Sequence, residues 1–92
     1  MILVGDKYMY KKNEKVFICE KNEEAVLLNM KTGKFLGIQD TSYKIWELLD
    51  DFTTIEEIVH TMSDIYNNVE KEILVRDVKM VLDKFIKEGL VV

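Results

Sequence analysis

The apolar residues change their period near residue 40, and that switch constrains the fold more than any other feature of the chain. Before it, short β-branched and aromatic runs are bounded by turn signals. Val16-Phe17-Ile18-Cys19 reads as a first strand, and Lys21-Asn22-Glu23-Glu24 as a polar turn in which Asn22 adopts a left-handed conformation at low cost. Ala25 to Met30 is a second strand. Lys31-Thr32-Gly33 closes the next turn, with Gly33 tolerating positive φ, and Lys34 to Gln39 is a third strand. Turns this short join strands into an antiparallel meander. Tyr8-Met9-Tyr10 adds at most an extended piece ahead of it.

After residue 40 the spacing is helical. Asp40 or Thr41 caps a first helix through Tyr43, Ile45, Trp46, Leu48 and Leu49, ending near Asp50-Asp51. Trp46, with Tyr43 and Phe52 nearby, is its core anchor. Thr53 and Glu56 have capping-box spacing, so a second helix starts there and runs through Ile58, Val59 and Met62 to about Tyr66. Asn67 or Asn68 caps a third helix that continues to Glu88, and Gly89 ends it in a left-handed cap followed by Leu90. The fold class is α+β, a three-stranded antiparallel meander followed by three helices, with residues 1–92 forming one domain.

On the third helix, Leu74, Val75, Val78, Val81, Leu82, Phe85 and Ile86 cover an arc of about 140°. That stripe is wider than one packing contact needs. Either its whole width is core, or one flank is core and the other lines a groove.

Composition restricts function. A chain of 92 residues with 48% hydrophobic and 33% charged residues folds around one core without room for a deep substrate cavity, which argues against an enzyme. With one cysteine there is neither an internal disulfide nor a zinc cluster, and the cytoplasm is the expected compartment. The apolar stretch Met1 to Val4 stops at Gly5-Asp6, too short for a signal peptide or a membrane span. His60, the sole histidine, reads as a surface or packing residue without metal-ligand partners. Cys19 reads as an inert, half-buried thiol. The four glycines are dispersed, so there is no phosphate loop and no cofactor motif.

A small sheet with three helices also describes winged-helix DNA-binding regulators. Here the helix that would read DNA is neutral: Lys71, Arg76, Lys79, Lys84 and Lys87 are balanced by Glu70, Glu72, Asp77, Asp83 and Glu88. With a net charge of -4 on the whole chain, a phosphate backbone is a poor partner. The remaining class is an interaction module. A meander has two open edges, and Lys34-Phe35-Leu36-Gly37-Ile38-Gln39 carries no proline or inward-pointing charge to block pairing. Gly37 marks either the approach of another backbone or a bulge leading into the first helix. The partner at that edge is an extended peptide or a second copy of the chain, the latter making a small dimerising domain.

The order of motifs resembles the PqqD-like family of peptide-recognition elements. The resembling residues are Ala25-Val26-Leu27-Leu28-Asn29 leading to Thr32-Gly33-Lys34-Phe35-Leu36-Gly37-Ile38, then Ile45-Trp46-Glu47-Leu48-Leu49-Asp50 and Thr54-Ile55-Glu56-Glu57-Ile58-Val59. Asp77-Val78 with Leu82, and Glu88-Gly89-Leu90-Val91, complete the pattern. The resemblance implies a winged helix-turn-helix-like fold that binds the leader region of a ribosomally synthesised precursor peptide. It also implies presentation of that peptide to a separate modifying enzyme, such as a radical-SAM enzyme, a leader protease or a cyclase. By resemblance, the leader pairs as an added strand along Lys34, Phe35, Leu36, Gly37, Ile38 and Gln39. Its apolar side chains would lie against Leu74, Val78, Val81, Leu82 and Phe85. No catalytic residue, metal or cofactor is implied.

Overall fold

Two sheets and three helices make up the computed structural model, which describes residues 1–49 and 53–92. A two-stranded hairpin, β1 (Ile2–Val4) and β2 (Lys7–Met9), precedes the meander of β3 (Val16–Lys21), β4 (Glu24–Asn29) and β5 (Phe35–Gln39). The helices α1 (Asp40–Leu48), α2 (Ile55–Ile65) and α3 (Lys71–Lys87) follow. This is the expected α+β order, with one addition. The extended piece expected at Tyr8-Met9-Tyr10 is present as β2 and the Tyr10 bridge to Thr53, but its partner strand β1 was not expected, because Gly5-Asp6 reads as the end of an apolar stretch whereas Gly5, at φ +62°, makes the turn between two strands.

The β3–β4 turn places both Asn22 (φ 53°) and Glu23 (φ 62°) in the left-handed region, the backbone of a type I′ hairpin turn. Gly33, at φ +77°, does the same work before β5. Pairing then runs without interruption from Leu28↔Phe35 to Glu24↔Gln39, so there is no bulge at Gly37. The period of two sorts the side chains. Ala25, Leu27 and Ile38 are buried on the inner face, with Val16, Ile18 and Leu36 packed beside them. Phe17, Cys19, Val26 and Phe35 stand exposed on the outer face. Cys19 is therefore exposed rather than half-buried, because it points away from the helices.

The helices cover the inner face. Leu74, Val78, Leu82 and Phe85 form the buried centre of α3. Trp46 of α1, the expected anchor, meets the Phe85 ring edge-on at 5.6 Å between centroids. The end of α3 is built as expected. Gly89 sits at φ +70°, its N–H donates to the Ile86 carbonyl at 3.0 Å, and the Leu90 N–H donates to the Phe85 carbonyl at 2.8 Å.

Helix starts differ by short steps. Thr54, not Thr53, caps α2, its hydroxyl accepting from the Glu57 N–H at 3.2 Å. Thr53 instead pairs through its backbone with Tyr10, a buried core residue. The α3 N-cap is Glu70 rather than Asn67 or Asn68. The cap of α1 is Gln39, one residue before Asp40, and that displacement shapes the sheet edge. The expected end of α1 at Asp50-Asp51, and Phe52, lie outside the described residues.

Candidate functional site

The ladder fixes which backbone groups are free. Asn29 donates its N–H to the Lys34 carbonyl at 2.8 Å, while Met30 donates to the Lys15 carbonyl, so odd residues of β4 bond toward β5 and even ones toward β3. By alternation, Lys34, Leu36 and Ile38 turn their polar groups to β4. Phe35, Gly37 and Gln39 turn theirs to the open edge. Gln39 is already engaged: its N–H donates to Ser42 Oγ at 3.1 Å, and that hydroxyl donates to the Gln39 carbonyl at 2.8 Å. Two residues remain. Because β5 is the edge of the sheet, the N–H and C=O groups of Phe35 and Gly37 face no neighbouring strand among the described residues.

Beside this edge runs a groove of about 280 Å³ between β5 and α3. Leu36, Gly37 and Ile38 form one wall, Ser42 one end, and Met80, Val81, Lys84 and Phe85 the other wall. The lining is mostly apolar. Met80 is 63% exposed there and leaves its apolar side chain available at the open side of the groove. Lys84 lies along the rim, its amine 3.5 Å from Glu88.

Asn29, buried at the end of β4, holds the two walls together. Its side-chain amide donates to the carbonyls of Glu88 and Gly89, each at 3.2 Å. Its Oδ1 accepts from the N–H groups of Lys31 and Thr32 in the turn leading to β5. One buried side chain thus ties the start of β5 to the end of α3. Gly89 permits the approach, since a Cβ there would stand 2.7 Å from Asn29 Nδ2.

The structure divides the residues expected at the site. Of the segment Lys34 to Gln39, Phe35 to Gln39 form the edge strand with Lys34 just ahead of it, and only Phe35 and Gly37 offer free backbone. Of the helical set, Val81 and Phe85 line the groove. Leu74, Val78 and Leu82 are buried in the core and are absent from its lining, because they occupy the middle of the apolar stripe. The stripe's two flanks separate: Val81 faces β5, while Val75 borders α2 in a second hollow with Val59 and His60. Reading the sequence missed Ser42, Met80 and Lys84. Met80 carried a signal, being with Ile73 one of two apolar residues on the polar side of the helical wheel.

No ring of acid, base and nucleophile accompanies the groove, and among the described residues no three His, Cys, Asp or Glu side chains are grouped to hold a metal. No helix of the described residues is long and apolar enough to cross a membrane.

No curated protein matches the chain. Among solved structures, TbiB1 in complex with the TbiA(beta) leader peptide superposes with a TM-score of 0.80 at 28% sequence identity, covering 88% of this chain and 93% of that one. The family model described as coenzyme PQQ synthesis protein D matches residues 24–91, from the first residue of β4 to the end of the fold. The chain belongs to the PqqD family.

Proposed function

We propose that this protein is a non-catalytic adaptor that binds the leader region of a ribosomally synthesised precursor peptide and presents it to a separate modifying enzyme. The observation that carries the proposal is the pairing of an open strand edge with an apolar groove on one side of β5. An extended peptide satisfies both at once. Its backbone bonds to Phe35 and Gly37, and the side chains opposite Leu36 and Ile38 point into the groove against Met80 and Val81. The leader complex of TbiB1, a chain of the same fold and nearly the same length, supports the same reading.

The chemistry of modification falls to the partner: a radical-SAM enzyme, a leader protease or a cyclase. A precursor fresh from the ribosome places the work in the cytoplasm, which suits a chain with one cysteine. A DNA-reading helix does not account for a groove whose exposed wall is apolar on a helix of balanced charge.

Met80→Glu tests the groove. A carboxylate placed against an apolar anchor should weaken peptide binding by at least about tenfold, while Met80 is exposed enough that the fold tolerates the change. Undiminished binding with an unchanged thermal midpoint would remove the groove from the binding mode. Val78→Asp would not serve, because Val78 is fully buried and its replacement tests folding.

A further inference from the structure

The groove takes only half of the side chains of a strand added to β5. The other half emerge on the outer face, where the cross-strand rows are legible from the register. Phe17, Leu28 and Phe35 form one row, Cys19, Val26 and Gly37 the next, and Lys21, Glu24 and Gln39 the third. The middle row has no bulky side chain at its β5 end. It floors an open hollow of about 530 Å³, bounded on one side by the Lys21, Glu24 and Gln39 row.

Gly37 is the reason for the hollow. Its φ lies outside the left-handed region, so its backbone does not demand glycine, and a Cβ built on it would meet nothing within 4 Å. Neither turn geometry nor close packing within the chain explains the residue. Gly37 is also one of the two residues with free edge groups, so a residue of an added strand must pair with it directly. In a parallel or an antiparallel ladder alike, the side chain of that paired residue projects on the outer face, beside the missing side chain.

We infer that Gly37 forms a second peptide subsite, on the face of the sheet opposite the groove, which takes an aromatic side chain of the bound peptide lying across the glycine toward Val26. This rests on strand addition to β5. Neighbouring strands are about 4.8 Å apart, so a side chain must cross one full strand width to touch Val26 from the added strand. A ring lying flat over Gly37 spans that distance and covers the exposed glycine backbone, as aromatic residues do across from strand glycines. Short aliphatic side chains stop above Gly37. Val26 is 45% exposed and offers its methyl groups at the far side of the gap. The subsite lets the adaptor read both faces of one peptide strand, an apolar residue into the groove and an aromatic neighbour over the glycine.

Random peptides displayed on phage and selected on the intact protein supply the probe. Each recovered peptide is synthesised with its aromatic residue and with alanine in that place, and both are titrated against the wild type, Gly37→Phe and Met80→Glu. Gly37→Phe starts its side chain in open space, a Cβ there meeting nothing within 4 Å, and directs it to the outer face, away from the groove that the Gly37 backbone helps to line. The aromatic-to-alanine change should weaken binding about tenfold on the wild type, as expected for a packed ring, and less than about threefold on Gly37→Phe. The aromatic peptide alone should shift the Val26 methyl resonances upfield by its ring current. Peptides that depend on Met80 but show no coupling to Gly37 and no Val26 shift would overturn the second subsite and leave the groove standing. Binding indifferent to Met80→Glu, or selection of no peptide, would overturn both.

Discussion

At the scale of single residues, the groove and the sheet beside it depend on side chains outside the groove's lining. Asn29 bonds four backbone groups, two in the β4–β5 turn and two just past the end of α3, and is itself buried. Asn29→Ala should therefore lower stability by about 1 to 3 kcal/mol, the range for leaving buried polar groups unpaired, and denaturant unfolding measures it. A loss below about 0.5 kcal/mol would show that water replaces the bonds at little cost. Glu23 is the opposite case. It holds a left-handed backbone without the glycine that type I′ turns prefer, so Glu23→Gly should raise stability by about 0.5 to 1 kcal/mol, read from the thermal midpoint. A lowered midpoint would mean that its side chain contributes more than its backbone costs. Of these residues the sequence made Asn22 and Gly33 legible, because turn propensity is local. Asn29 was not, since its partners at Glu88 and Gly89 are about sixty positions away and nothing nearby marks them.

At the scale of elements, the strands and helices were readable because period and caps are properties of short segments. Which flank of α3 faces the sheet was not readable. The stripe centred on Val78 is nearly symmetric on a wheel, and only the placement of β5 and α2 on either side assigns Val81 to one and Val75 to the other. The usable length of β5 was also hidden. It is set by Ser42, which spends its hydroxyl on Gln39 and so ends the open edge where the helix begins. Ser42→Ala removes the N3 side of the capping box, should cost about 0.5 to 1 kcal/mol as an exposed hydrogen bond does, and should free the Gln39 N–H to exchange with solvent. Continued protection of Gln39 in the variant would mean that another group closes the edge.

At the scale of the whole molecule, the sheet is a wall between two environments. Its inner face holds the core and opens at one side into the groove, while its outer face stays apolar and exposed at Phe17, Val26 and Phe35, the last at 73%. An added strand would be gripped along one edge and displayed on both faces. The modest size and balanced helical charge that argued against catalysis and DNA are the properties such an adaptor needs. Amide hydrogen exchange measures the central claim most directly, at Phe35 and Gly37 with and without a saturating binding peptide. Both amides should exchange rapidly in the free protein and become protected on binding, together and in step with occupancy. If they stay fast while protection appears elsewhere, the peptide does not add a strand to β5.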